Sequence, residues 1–200
     1  NERLRDISFN LRKGEILGFS GLVGAGRSEV CRAIFGADAF TDGTIEYEGE
    51  QLSFRQPGEA IRQGIVMLQE DRKKLSLFMG MPISFNMSIA TLPRLKTPSG
   101  TINYRKVSSV VEDFIDQLNI KLGSTEHPVS IYQIIRKLAA NGISIILISS
   151  ELPEIITMSD RVVVMHEGRV TGILDPDRIT EEDIMSCATG TADESVDTAL

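Results

Sequence analysis

Long apolar runs are missing from this sequence. The longest nearly unbroken one, Ile143 to Ile148, falls far below the roughly 20 residues a membrane-spanning helix needs. Any membrane role therefore has to run through a partner. Cysteine is scarce: Cys31 and Cys187 are too few for a disulfide framework and suit a reducing compartment. Positive charge is in deficit, with 21 Lys plus Arg against 28 Asp plus Glu and a net charge of -7, which disfavours a nucleic-acid partner. The chain opens Asn1-Glu2-Arg3 with no initiator Met and no signal-peptide pattern, so it is expected to be a domain of a longer polypeptide. Asn-Lys-x-Asp, which would read guanine, and Asp-x-x-Gly are both absent, and a GTPase is excluded. What remains is the composition of a globular domain: 200 residues, 22.0 kDa, 42% apolar, 24% charged, 17 glycines and 7 prolines.

Ile7, Phe9 and Leu11 alternate with polar residues ahead of a turn at Lys13-Gly14-Glu15. Ile16 to Ser20 is a short apolar run, and Gly21-Leu22-Val23-Gly24-Ala25-Gly26 follows it. From Ser28 the pattern turns helical, with Val30, Cys31, Ile34 and Phe35 on one face and Gly36 as the stop. Strand, glycine loop and helix make the first unit of a parallel α/β sheet. Short strands are predicted at 44–47 and 51–54, a helix near 58–63, and a buried strand at Ile65-Val66-Met67-Leu68. Loops and short helices fill 71–103. Val107, Val110, Val111, Phe114, Ile115 and Leu118 mark one amphipathic helix. A helix over 131–140 ends at Asn141-Gly142 and feeds a strand at 144–148. Arg161–Met165 and Arg169–Ile173 form a hairpin around His166-Glu167-Gly168. A last helix near 180–187 precedes an acidic tail over 190–200, expected to be disordered. No internal repeat is present.

Gly21 to Ser28 reads G-x-x-x-x-G-R-S, one residue from the P-loop pattern G-x-x-x-x-G-K-[ST]. Glycines let successive backbone N–H groups turn onto phosphate oxygens, and a helix N-terminus adds a favourable dipole. Ser28 stands where a hydroxyl coordinates nucleotide-bound Mg²⁺. The plain alternative is a glycine-rich turn with no ligand. Arg27 is the departure: Lys is a compact charge, whereas Arg is longer, planar and forked. Nucleotide binding is expected to survive that change and hydrolysis to suffer. A P-loop NTPase also needs an acid after an apolar strand. Spacing alone allows Glu70 or Asp71, following Ile65–Leu68, to be that acid; a solvated loop is the alternative. Ile145–Ile148 ends in Ser149-Ser150-Glu151 and Val162–Met165 in His166, so neither offers one directly.

Leu11 to Glu29, together with Glu70-Asp71-Arg72-Lys73-Lys74, Ile148-Ser149-Ser150-Glu151-Leu152-Pro153-Glu154 and Ser159 to Gly168, resembles an ABC-transporter ATPase domain. More narrowly, it resembles the second, C-terminal ATPase domain of the tandem subunits that drive bacterial monosaccharide importers of the ribose, xylose and galactose type. The match runs from about residue 4 to residue 189. The resemblance implies an α/β P-loop NTPase fold, with a parallel core sheet, an antiparallel β part and a helical subdomain over roughly 75–128. It implies that Gly21, Leu22, Val23, Gly24, Ala25, Gly26, Arg27, Ser28 and Glu29 form the loop around the ATP phosphates, with Ser28 and Gln69 at Mg²⁺. Gln69 takes the place of the Q-loop glutamine, which displaces Glu70 and Asp71 as Mg²⁺ acids. Ser150 stands where active domains carry a switch histidine, and neither His127 nor His166 replaces it by position.

The same resemblance exposes an absence. A signature segment, an apolar strand ending in Asp-Glu and a D-loop are expected before the helix that leads to the switch strand, yet His127-Pro128-Val129-Ser130 runs straight into Ile131-Tyr132-Gln133. Ser130 with Gln133 passes for a capping box. Loss of an interior strand, however, would leave unpaired backbone and exposed apolar faces. Residues are therefore expected to be missing from this sequence between Ser130 and Ile131, with a genuine deletion as the alternative. No catalytic residue is assigned within the chain. The implied function is ATP binding in a sugar importer, at the weaker site of a tandem pair. Its partners are the N-terminal ATPase domain of the same polypeptide, a transmembrane permease and, indirectly, a sugar-binding protein. The implied location is the cytoplasmic face of the bacterial inner membrane. A non-catalytic nucleotide-sensing or interaction module is the alternative. Cys31 reads as a small core residue and Arg72-Lys73-Lys74 as a solvated charge run. Phe78, Met79, Met81 and Phe85 read equally as a docking surface for the membrane subunit and as subdomain core.

Overall fold

The computed structural model describes residues 4–68, 77–117 and 131–191. The chain divides into two compact units, Asn1–Met67 with Arg136–Leu200, and Leu68–Ile135.

The first unit is built on a four-stranded sheet. Strand β1 (Ile16–Gly21) leads through a glycine loop into helix α1 (Arg27–Ile34). A separate antiparallel ribbon pairs β2 (Ile45–Tyr47) with β3 (Glu50–Leu52), and α2 (Pro57–Arg62) follows. After the second unit the chain returns with β4 (Ile145–Ile148), the strands β5 (Arg161–His166) and β6 (Arg169–Leu174), and two helices of this unit, Leu152–Met158 and Glu181–Ala188. The sheet order is β4-β1-β5-β6. β1 runs parallel to both neighbours, with Phe19 opposite Ile148 on one side and Val163 on the other. β6 returns antiparallel to β5 through the turn at Glu167-Gly168, where both residues have positive φ.

Period-2 alternation sends side chains of β5 to both faces of the sheet. Val163 and Met165 join Leu17, Phe19, Ala25 and Val30, all buried, on the α1 side. Val162 and Val164 join Ile155, Leu174, Ile184 and Cys187 on the other. Leu4, Ile7 and Phe9 pack on the α1-side cluster, with the Phe9 and Phe19 rings edge to face at 5.0 Å. Burial on both faces is why these strands read as continuous apolar runs.

The described part of the second unit is helical. It holds α3 (Ile83–Ser88), a 3₁₀ stretch (Ile89–Leu95) and α4 (Tyr104–Gln117). On α4, Val107, Val110, Val111, Phe114 and Ile115 form a half-buried stripe, matching the 3.6-residue period; Leu118 lies outside the described residues. Helix α5 (Ile131–Ala140) ends at Asn141-Gly142, where Gly142 has φ 87° and donates its N–H to the Ala139 carbonyl. The two helices after β4 are α6 (Leu152–Met158) and α7 (Glu181–Ala188). Thr180 caps α7 by accepting the Asp183 N–H at 3.1 Å.

One predicted element does not form. Ile65–Leu68 takes no strand conformation, and Val66 and Leu68 are 73% and 84% exposed. A strand needs a ladder partner. Among the described residues no strand pairs with Ile65–Leu68, and without a ladder partner the segment stays out of the sheet.

Candidate functional site

The glycine loop occupies the C-terminal end of β1, between the ends of β4 and β5. Gly21 has φ 143°, and a Cβ there would lie 2.3 Å from the Met165 carbonyl oxygen. Only glycine fits where the strand turns so close to β5. Gly26 has φ 101°, and its Cβ would meet Leu4 at 2.8 Å. Gly24, with φ 83°, has open space around it. The loop is fixed from both sides. Inside it, Ala25 N–H donates to the Leu22 carbonyl at 3.0 Å; from outside, Gly168 N–H donates to the Ala25 carbonyl at 3.0 Å.

Gly26 is the N-cap of α1, and no side chain caps that helix. Its first turn therefore has orphan amide donors and a positive dipole end. Ser28 is exposed on this turn, and Val23 at the loop apex is fully exposed. The structure thus brings Gly21, Leu22, Val23, Gly24, Ala25, Gly26, Arg27, Ser28 and Glu29 into one loop and helix start. Gln69, with Glu70, Asp71 and Arg72-Lys73-Lys74, lies outside the described residues. So do His127, Ser130 and the tail beyond residue 191.

Arg27 is half-buried. Its Nη1 donates to the Ser149 carbonyl oxygen at 3.2 Å. Ser149 is the first residue after β4, and its hydroxyl donates to Glu154 at 2.6 Å while accepting the Glu151 N–H at 3.0 Å. Ser150, which the resemblance set at the switch position, is exposed. His166 is held away from that position: its Nδ1 donates to the Ala188 carbonyl at 2.8 Å, since a carbonyl can only accept. Cys31 is half-buried and in neither core cluster; desolvation pushes its thiol pKa up to about 12, so it is not a nucleophile at neutral pH. In the second unit Phe78 and Phe85 meet edge to face at 5.8 Å. Asn86 ties the adjoining turn, accepting Phe78 N–H at 2.8 Å and donating to the Pro82 carbonyl at 3.2 Å. Phe78, Met79 and Met81 remain about half exposed or more.

Sequence reasoning missed two contributors, the Ser149 carbonyl and the Gly168 amide. Both act through backbone atoms, which leave no residue signal. Only the pairing of β1 with β4 and β5 places them at the loop.

A parallel sheet with a glycine loop between its first strand and a helix defines an α/β P-loop NTPase fold. The ABC transporter family model matches residues 4–142, and the chain belongs to that family. It is 39% identical, over 224 aligned residues, to a putative ribose/galactose/methyl galactoside import ATP-binding protein of Agrobacterium fabrum, covering 92% of this chain and 44% of that one. It is 38% identical to the ribose import ATP-binding protein RbsA of Geobacillus kaustophilus, covering 92% and 45%. The fold superposes on a nucleotide-free ATP-binding cassette from an ABC transporter with a TM-score of 0.69 at 18% identity, over 97% of this chain and 90% of the other. The chain spans less than half the length of the curated relatives it matches. Since 92% of 200 residues is about 184, the 224 aligned residues include about 40 that have no counterpart here.

Proposed function

We propose that this chain is the ATP-binding domain of a sugar ABC importer, coupling ATP binding and hydrolysis to monosaccharide uptake. We propose further that its P-loop forms the weaker site of a tandem pair. The observation that carries the reading is the loop itself: a cradle of positive-φ glycines, open at Gly24, leading into an uncapped helix start with an exposed Ser28 hydroxyl. That donor set fits a triphosphate. Backbone amides of residues 24–29 would hold the phosphates, and Ser28 with Gln69 would hold Mg²⁺. When bound, Mg²⁺ would supply neutralisation of the phosphate charge.

The weaker-site reading rests on Arg27 and Ser150. Arg27 is engaged with the Ser149 carbonyl, and the exposed Ser150 hydroxyl is a short group where a longer imidazole would reach a γ-phosphate. The partners on this reading are the N-terminal ATPase domain of the same polypeptide, a transmembrane permease and, through it, a sugar-binding protein. The domain would sit peripherally on the cytoplasmic face of the inner membrane. Among the described residues no helix is long and apolar enough to cross a membrane, so attachment would be through the permease.

ATP hydrolysis by the full tandem subunit and by this domain alone tests the proposal. The full subunit should turn over at least about tenfold faster, a difference of about 1.4 kcal/mol in barrier. Equal rates would contradict the weaker-site reading. A non-catalytic nucleotide-sensing module remains the second reading, favoured by the position of β4 at the end of the described sheet. It predicts ATP binding with no turnover in either form.

A further inference from the structure

The parallel pairing of β1 with β4, with Phe19 opposite Ile148, sets two loops side by side at one end of the sheet: the P-loop after β1 and residues 149–151 after β4. Arg27 joins them. One of its N–H groups, on Nη1, donates to the Ser149 carbonyl, while Nε and Nη2 have no hydrogen-bond partner among the described residues. A guanidinium carries five N–H donors in a rigid plane. It can hold a neutral carbonyl with one and an anion with the others.

Ser149 in turn organises the start of α6. Its hydroxyl accepts the Glu151 N–H and donates to the Glu154 carboxylate, and Glu151 is the N-cap residue of that helix. Ile155 and Met158 of α6 are buried, Ile155 in the sheet-face cluster with Val162 and Val164. A displacement of Ser149 is therefore delivered to a helix start whose far side is fixed in the core.

Resting on the proposed ATP-binding reading, we infer that Arg27 is a positioning residue that bridges bound phosphate to the β4–α6 loop. Phosphate oxygens take the donors that Ser149 leaves, and the charge-assisted bonds hold the guanidinium in place. Nucleotide occupancy is thereby transmitted to residues 149–154 by the P-loop side chain itself, with no group longer than the Ser150 hydroxyl needed on the β4 side. Lys at this position is shorter and acts as a point charge. It is drawn to the phosphates and leaves Ser149.

Amide hydrogen exchange of residues 149–155 tests this in the full-length protein, for wild type, Arg27→Gln and Arg27→Lys, each with and without MgATP, alongside calorimetric ATP affinities. Without nucleotide, Arg27→Gln should speed exchange in this segment by about tenfold, the scale set by losing a hydrogen bond from a charged donor. With MgATP the wild type should show slower exchange there, whereas Arg27→Lys should bind ATP and show no such slowing. Wild-type exchange rates in nucleotide-free Arg27→Gln, or full ATP-dependent protection in Arg27→Lys, would overturn the inference. ATP binding by wild type with no protection of 149–155 overturns the bridge alone. No ATP binding by wild type overturns the functional reading and the bridge together.

Discussion

Glu15 Oε1 lies 2.5 Å from Arg161 Nε, with both side chains about 95% buried. The pair closes the end of the sheet opposite the P-loop. Arg161 Nη2 also donates to the Asn10 carbonyl at 2.9 Å and to its side-chain oxygen at 2.8 Å. Beside it, Asp160 accepts the Ile16 N–H at 2.8 Å and donates its own N–H to the Ile16 carbonyl at the same distance. β1, β4 and β5 are thus tied together where they begin, since Ile145 N–H donates to the Glu15 carbonyl as well. The loop at the far end works from a fixed base.

Glu15→Gln leaves the Arg161 charge buried without its counter-ion. Loss of one partner from a buried pair costs about 3–5 kcal/mol, and urea unfolding at pH 7 should show a loss on that scale. Acid adds a second readout. Burial alone raises the Glu15 pKa, but the hydrogen bonds from Arg161 and from the Arg12 amide outweigh it and hold it below the usual 4.5. A carboxylate with a lowered folded-state pKa contributes stability above its unfolded value and loses it as pH falls through the folded value. Wild-type stability should therefore decline below pH 4.5 with a component that Glu15→Gln lacks. Identical acid profiles for the two proteins would contradict this.

Gly18, mid-strand in β1, sits against α6. A Cβ there would lie 2.2 Å from Ser159 Oγ, 3.0 Å from Ser159 Cβ and 3.1 Å from Ile155 Cγ2. Gly18→Ala should cost about 1–3 kcal/mol by overpacking, measured by denaturant titration. Adding Ser159→Ala should recover part of it, because the hydroxyl contact goes and the Cβ contact stays. The Ser159 hydroxyl is buried with no hydrogen-bond partner among the described residues, so its removal breaks no described bond. A double variant no more stable than Gly18→Ala alone would show that the backbone has shifted instead.

Much of this fold is legible in the residues. The alternation and glycine punctuation around Ile16–Gly36 specify strand, loop and helix, and all three form within a residue or two of their predicted ends. The hairpin at 161–174 is equally plain, because Glu167-Gly168 carries the turn between two apolar runs. Ile65–Leu68 shows the limit. Its four apolar residues satisfy the local strand pattern, but a strand is a pairwise structure, and no strand among the described residues pairs with it. The site divides the same way. Glycine spacing exposes the cradle, while the Arg27–Ser149 and Gly168–Ala25 bonds depend on which strands are neighbours.

If relatives carry about 40 residues that this sequence lacks, and those residues belong between Ser130 and Ile131, the natural domain is about 4 kDa heavier than 22.0 kDa at this chain's own mean residue mass. Intact-mass measurement on the domain excised from its native source should show that excess, and peptide mapping should place it after Ser130. A mass of 22.0 kDa would establish a true deletion and favour the non-catalytic module.

The central claim is that the Gly21–Glu29 loop binds ATP. Calorimetric titration of MgATP into the protein, with Ser28→Ala beside it, tests that claim most directly. Ser28 is exposed and no hydrogen bond of the described fold depends on it, so the variant should keep its stability to within about 0.5 kcal/mol. Wild type should bind with a stoichiometry of one per P-loop and require Mg²⁺ for full affinity. Ser28→Ala should bind about tenfold more weakly, a loss of about 1.4 kcal/mol, and lose the dependence on Mg²⁺. No heat of binding in wild type, or equal affinity in the two proteins, would contradict the account.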